Sequence, residues 1–310
     1  MDQVSVVLPT FNRPAPLRRA LVSLFAQREL VGTEVEIIVV DNAPDANARA
    51  AVLAAAASSP FALRYISEPS PGVANARNAG VAVATGRWVA FLDDDEEAHP
   101  LWLAALTHMA RQSEADAVFG PVEARADGGA EIGPFAPFFD RRVDRPAGAD
   151  ITDISAFLGT NNSMFDKARC LIAERVFDPS LNEWGGEDSL LLERLVMAGR
   201  RFVYAPEARV IEWAPPRRLN WAYVKKRRYL SGQIRVFVQN MARPGDKSAV
   251  ARWMLVGLAQ TLAFGAVTLA LWPIGGDLRE KMAARLHGGL GKLFWARRYR
   301  LTLYGRGLVS

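Results

Sequence analysis

Four short apolar runs in the first hundred residues limit the folds open to this chain. Residues 4–8 stop at Pro9-Thr10-Phe11-Asn12, residues 35–40 stop at Asp41-Asn42, residues 63–66 form a third run, and residues 88–92 stop at Asp93-Asp94-Asp95. Such runs, rich in β-branched side chains, are the pattern of strands buried on both faces. The stretches between them have helical character. Residues 16–27 place Leu17, Leu21, Leu24 and Phe25 on one side, residues 46–57 are alanine-rich, and residues 73–85 are rich in small side chains. Strand and helix in alternation predict an α/β fold, a doubly wound and mostly parallel sheet with helices on both faces. In such sheets a ligand sits beyond the carboxyl ends of the strands, where three of these runs place polar clusters.

Of the 310 residues, half are hydrophobic and 23% are charged, which suits a sizeable core and excludes a fully disordered protein. The one cysteine, Cys170, cannot form an internal disulfide, so a stapled scaffold and a cysteine-based zinc site are excluded. His99, His108 and His287 are too scattered for a histidine-rich metal site. The net charge of +5 hides an asymmetry. Residues 1–216 carry 20 Lys and Arg against 30 Asp and Glu, a balance of −10, whereas residues 217–310 carry 18 against 3, a balance of +15. An acidic front and a basic rear are expected to do different work, and a basic rear attracts phosphate on nucleic acid or anionic lipid. Asp2 and a short apolar run ended by Pro9 do not match a secretory leader, so the catalytic part is expected in the cytoplasm.

From residue 121 to residue 151, Gly, Pro and charged residues predict a long, mobile loop, a candidate lid. Order resumes at residues 156–158 and 162–165, with an amphipathic helix at 188–198 and a strand at 201–204. Pro215-Pro216 divides an α/β part, residues 1–214, from a basic and apolar helical region, residues 215–310. Lys225-Lys226-Arg227-Arg228 follows. In the 20 residues of 253–272 only Gln260, Thr261 and Thr268 are clearly polar. At ~1.5 Å per residue such a helix covers roughly 30 Å, the thickness of a bilayer's hydrocarbon core.

Four motifs carry candidate chemistry. Asp93, Asp94 and Asp95 at the mouth of an apolar layer repel one another, which a divalent cation would relieve; a solvated acidic turn running into Glu96-Glu97 is the plainer reading. Asp41 would accept from a nucleobase N–H or a ribose hydroxyl, or would serve as a turn or cap residue. The run from Pro71 to Gly80 allows close backbone approach and offers Arg77 as a fixed cation for phosphate, or for a surface salt bridge. Trp184-Gly185-Gly186-Glu187-Asp188 delivers two carboxylates to a helix start, as a general base or as ordinary capping.

In this order, residues 4–13, the Val-Val-Asp-Asn of 39–42, residues 71–80, Phe91-Leu92-Asp93-Asp94-Asp95 and Gly186-Glu187-Asp188 resemble a family 2 glycosyltransferase of the GT-A fold. Glu212 to Leu219 and the basic, apolar tail are similar to exopolysaccharide members of the succinoglycan kind. The resemblance covers roughly residues 3–213. It implies a metal-dependent, inverting transfer of one sugar from a nucleotide-diphosphate-sugar, with a UDP-sugar the favoured donor. It places Pro9, Thr10, Asn12, Arg13, Asp41 and Arg77 around the nucleotide, with Asp93 and Asp94 beside it. Asp95 would ligate Mg²⁺ or Mn²⁺, and Asp188 would be the catalytic base. Asn162, Trp184 and Glu187 would lie near the sugar or acceptor. Many members have a histidine near residues 210–213, where this chain has Glu212. The Gln-x-x-Arg-Trp pattern of processive synthases is absent, which implies one sugar per encounter.

The resemblance makes a saccharide or lipid-linked saccharide the expected acceptor, and the tail gives an independent reason to look at a membrane. Tryptophans bound the apolar run and basic residues flank it, a composition that suits a membrane interface, and the resemblance implies the inner, cytoplasmic face of the bacterial membrane. A full crossing would put the basic residues after Arg279 on the far side, so a re-entrant or interface-lying hairpin is expected, with residues 286–303 as a second basic amphipathic piece. A buried core helix or a dimer contact also fits that composition. A nucleotidyltransferase would need a glycine-rich loop after its first strand, where this chain has Pro9 to Arg13. A non-catalytic sugar-nucleotide-binding protein would not need both Asp95 and Asp188. The tail's apolar content favours lipid over nucleic acid.

Overall fold

A computed structural model describes residues 2–301. The front alternates β1 (Asp2–Thr10), α1 (Pro14–Phe25), β2 (Thr33–Asp41), α2 (Arg49–Ala56), β3 (Ala62–Ser67), α3 (Val73–Val83) and β4 (Trp88–Phe91). There follow β5 (Glu96–Ala98), α4 (Trp102–Ser113), β6 (Ala117–Phe119), β7 (Val122–Ala126), α5 (Ala136–Phe139), β8 (Ser163–Asp166) and α6 (Lys167–Cys170). Then come α7 (Glu187–Met197), β9 (Phe202–Tyr204) and β10 (Val210–Ala214). Three long helices come last: α8 (Trp221–Ala242), α9 (Lys247–Ala270) and α10 (Gly276–Leu293).

Seven strands form the main sheet in the order β3-β2-β1-β4-β8-β6-β9. Neighbours among β1 to β4 pair in parallel, and β8 runs antiparallel between β4 and β6. Side chains alternate with a period of two. Val4, Val6, Leu8, Ile37, Val39 and Ala90 pack on one face with α1, α2 and α4. Val7, Ile38, Val40, Val89 and Phe91 pack on the other with α3 and α7. The fold is therefore α/β and doubly wound, and burial on both faces explains why the strands read as unbroken apolar runs. β1 has β2 on one side and β4 on the other, so the connections leave in opposite directions and a crevice opens beyond their carboxyl ends.

Much of the expected loop at residues 121–151 is ordered. Val122, Ala124 and Ala126 alternate with Glu123 and Arg125, and the run pairs in parallel with β10 as part of a second sheet, β5-β10-β7. Its period of two is weak because alanine carries little of the apolar signal. The short α5 packs by Phe139 under Tyr223 of α8, with the rings stacked at 6.3 Å.

The tail folds back onto the α/β part. Asn220 caps α8 by accepting from the Tyr223 N–H at 2.9 Å, and α8 packs on α7. α9 and α10 form a hairpin against α8. The expected second piece starts ten residues earlier than residue 286, at Gly276, because Gly275 and Gly276 both take left-handed backbone and turn the chain there. Residues 302 and 303 of that expectation lie outside the described residues.

Candidate active site

Beyond β4 three consecutive carboxylates diverge. Asp93 accepts from Arg77 Nη2 at 3.0 Å. Asp94 accepts from Thr10 Oγ1 at 2.8 Å and from Arg13 Nη1 at 3.0 Å. Asp95 accepts from the same Arg13 Nη1 at 2.9 Å and lies 3.7 Å from Arg218 Nη1. Burial, opposed by Arg13 and helped by Asp95, pushes the Asp94 carboxyl up to about 7. Burial and then the charge of Glu212 raise Asp95. Burial leads in both, and the arginines only partly oppose it.

Arg77 is the hinge of the site. It is buried on α3, and its Nη1 donates to Glu187 Oε1 at 2.8 Å while Nη2 holds Asp93. This brings the start of α7 beside the acid cluster. Gly185 and Gly186 make that approach with φ of +72° and +96°, a conformation that costs a residue with a Cβ. A Cβ on Gly186 would also press on Ile234 Cγ2 at 3.0 Å. Burial and the neighbouring Asp188 push Glu187 up to about 7 against the pull of Arg77. Asp188, half-buried, accepts from the Ser189 N–H at 2.6 Å through Oδ1. Its Oδ2 points toward Gly159, where a Cβ would meet Asn161 Oδ1 at 2.8 Å and both Asp188 Oδ2 and Arg141 Nη1 at 3.3 Å.

A layer behind the acids was not legible in the sequence. Glu96 accepts from the Asp93 N–H at 3.0 Å and from Asn161 Nδ2. Arg141 donates to Glu212 at 3.1 Å and lies 3.7 Å from Glu96. Arg141 was hidden in the segment read as a loop, whereas Arg218 follows the Pro215-Pro216 boundary that the sequence does mark.

The residues singled out from sequence fall into two groups. Pro9, Thr10, Arg13, Asp93, Asp94 and Asp95 converge on the crevice, and Glu187 and Asp188 join them through Arg77. Asn12 stands at the end of β1 with φ of +55° and accepts from Asn47. Trp184 is half-buried, with the Arg300 guanidinium 4.9 Å from its ring centre. Three more have their side chains engaged by protein groups. Asp41 is fully buried and accepts from the Ala43 and Ala48 N–H groups and from Tyr65 O–H, the turn-bracing role that was one of its two readings. Arg77 pairs with Asp93 and Glu187. Asn162 accepts from Trp102 Nε1 at 2.7 Å and donates to the carbonyls of Pro121 and Ala208 at 2.7 and 2.8 Å, so its amide ties strands together.

A family model described as glycosyl transferase family 2 matches residues 5–168. The succinoglycan biosynthesis protein ExoM of Rhizobium meliloti is 33% identical over 74% of this chain and 73% of its own length. The chain belongs to glycosyltransferase family 2. ExoO of the same organism is 26% identical over 84% of this chain and 72% of its own. Among solved structures, the mannosyltransferase PcManGT of Pyrobaculum calidifontis, in complex with GDP-Man and Mn²⁺, has a TM-score of 0.60 at 20% identity over 94% of this chain and 87% of its own. S. aureus TarS in complex with UDP has a TM-score of 0.56 at 15% identity over 94% and 90%. These likenesses support the GT-A fold. The protein is an enzyme, a glycosyltransferase.

Among the described residues no three or more His, Cys, Asp or Glu are grouped to enclose a metal ion. Asp95 nevertheless fits a site completed by a substrate. Mg²⁺ and Mn²⁺ take oxygen ligands, commonly one or two carboxylates plus phosphate oxygens, and Asp95 offers a carboxylate oxygen at the carboxyl edge of the sheet, beside Asp93 and Asp94.

Proposed function

We propose that this family 2 enzyme transfers one sugar, with inversion, from a nucleotide-diphosphate-sugar to a hydroxyl of a saccharide or lipid-linked saccharide in cell-surface polysaccharide synthesis. The observation that carries this reading is the Arg77 bridge, which sets the Asp188 turn opposite Asp93, Asp94 and Asp95. A donor's diphosphate beyond β4 would then face an attacking hydroxyl near Asp188. A UDP-sugar is the favoured donor, since TarS binds UDP and UDP-GlcNAc, while PcManGT holds GDP-Man.

Each residue has a task. Pro9, Thr10, Asn12 and Arg13 wall the nucleotide side of the crevice, and Thr10 and Arg13 fix Asp94. Asp93, held by Arg77, stands at the donor side. Asp95 would hold a divalent cation, which when bound offsets charge on the departing diphosphate. Asp188 takes the proton from the acceptor hydroxyl as it attacks the face opposite the leaving group. Trp184 and Glu187 flank that approach.

The tail supports placement at the cytoplasmic face of the inner membrane. α9 is long and apolar enough to cross a bilayer, and Gly257 is its only buried residue. Leu255, Leu262 and Leu269 are each about two-thirds exposed or more. We read α9 and α10 as a hairpin lying at or entering the interface.

Hydrolysis of a panel of nucleotide-sugars, with and without Mn²⁺ in detergent, tests donor and cation together. One nucleotide-sugar hydrolysed with Mn²⁺ dependence is the expected result, and no hydrolysis of any would overturn the reading.

A further inference from the structure

Beside Gly159, on the Asp188 side of the acid cluster, lies a cleft of about 560 Å³ walled by residues 137–145, residues 154–162 and α8. Six arginines line it, Arg141, Arg142 and Arg145 on one wall and Arg227, Arg228 and Arg235 on α8, against two carboxylates, Asp140 and Asp144, both on the first wall. The first wall is locally compensated. Arg141 pairs with Glu212, Arg142 with Glu123 at 3.4 Å, and Arg145 with Asp153 at 2.7 Å. On α8, neither Arg228 nor Arg235 has a carboxylate within ion-pair distance among the described residues. Arg228 faces the like charges of Arg227 and Arg285. Burial, opposed by the charge of Asp188 and reinforced by Arg228, lowers Arg235 to about 10, so it remains a cation at neutral pH.

Like charges gathered in a partly enclosed cleft raise the free energy of the empty protein, and an anion relieves that cost. Guanidinium forks match phosphate oxygens in geometry and charge. The cleft also adjoins apolar surface. Phe157, 62% exposed, lies under the Arg235 guanidinium at 4.5 Å. Arg235 and Trp253, near the start of α9, line one small hollow together with Ser189 and Glu193, so α9 begins beside the arginine wall.

We propose that this cleft binds the phosphate or diphosphate group of an acceptor carried on a hydrocarbon chain, with Arg228 and Arg235 gripping the anion and the chain leaving along α9. The saccharide beyond the anion then lies near Asp188. Only this last step rests on the glycosyl-transfer reading; the binding does not require turnover.

The test uses the full-length chain in non-ionic detergent, with octyl diphosphate as probe and calorimetry as readout. A parallel arm uses inorganic pyrophosphate, the same anion without a chain. R228Q/R235Q should weaken octyl diphosphate about 10- to 100-fold, the worth of one or two charged hydrogen bonds. R228K/R235K, which keeps the charge without the fork, should fall between wild type and R228Q/R235Q, and R87Q/R111Q, which removes the same charge elsewhere, should keep all of it. Unchanged affinity in R228Q/R235Q, or an equal loss in R87Q/R111Q, overturns the assignment. Pyrophosphate binding as tightly as octyl diphosphate overturns the chain-borne acceptor. Thermal melts confirm that each variant folds. A wild type that binds octyl diphosphate yet hydrolyses no nucleotide-sugar would strike the transfer reading and leave this site standing.

Discussion

Arg77 Nη1 meets Glu187 Oε1 at 2.8 Å, joining helices whose contacting residues lie 110 positions apart in the chain. Both side chains are buried, and the same guanidinium holds Asp93. Removing one partner of such a pair leaves buried charge without compensation. Arg77→Met should therefore lower stability by about 3–5 kcal/mol, read from the urea midpoint. Adding Glu187→Gln should recover part of the loss. Simple addition of the two single effects would show that the pair is not coupled.

Asp188→Asn keeps shape and hydrogen bonding and removes the proton acceptor. Transfer should fall by about 10²–10⁴-fold with donor affinity kept. Full turnover in this variant would move the base to another residue.

Asn162→Ala should act on stability. It strands the Trp102 N–H and the Ala208 carbonyl in the interior, at about 1–3 kcal/mol for each group left unsatisfied, while the Pro121 carbonyl keeps the Val210 N–H. The melting temperature should drop while the KM for acceptor, measured on folded protein, stays near wild type. A raised KM at unchanged stability would return Asn162 to the sugar.

Glu36 sets an acid limit remote from the site. Burial would raise its carboxyl, but hydrogen bonds from Ser5, the Thr85 N–H, the Thr85 hydroxyl and Arg64 outweigh it and hold the group at about 2. A depressed carboxyl contributes stability above its unfolded value, near 4.5, and that contribution fades as pH falls through about 2. Glu36→Gln should destabilise by about 2 kcal/mol at pH 7 and flatten the stability profile below pH 5. An unchanged acid limb in chemical denaturation would refute this.

Three leucines on the outer face of α9 should govern membrane attachment. Leu255→Glu, Leu262→Glu and Leu269→Glu together forfeit the burial of three side chains worth about 1.5–3 kcal/mol each. Flotation with vesicles of phosphatidylglycerol and phosphatidylethanolamine should fall at least 100-fold, with the fold kept. Undiminished flotation would leave the hairpin as a protein–protein surface.

The parallel core was legible because its strands are buried on both faces, so Val4, Val6, Ile37, Ile38 and Val89 form patterns that no surface segment would carry. The second sheet was not. β5 and β7 mix Glu and Arg with alanine, and β10 supplies the pairing from almost ninety residues beyond β7 and more than 110 beyond β5. Asp41 was legible as a polar residue at a strand end with two open roles, and Asn162 as a polar residue before a strand, but their partners were not. A buried carboxylate or amide serves whichever donors and acceptors the fold brings to it, and here those are backbone groups.

The sequence alone determined a doubly wound sheet, its acid-rich carboxyl edge, the Gly-Gly turn before Asp188 and the change of character after Pro216, because each is written in local pattern. Only tertiary structure decided that Arg77 clamps carboxylates, that Arg141 and Arg218 reach the acids, and that α8 turns its arginines toward a cleft. Charges act through space, and their partners lie dozens to more than a hundred residues apart.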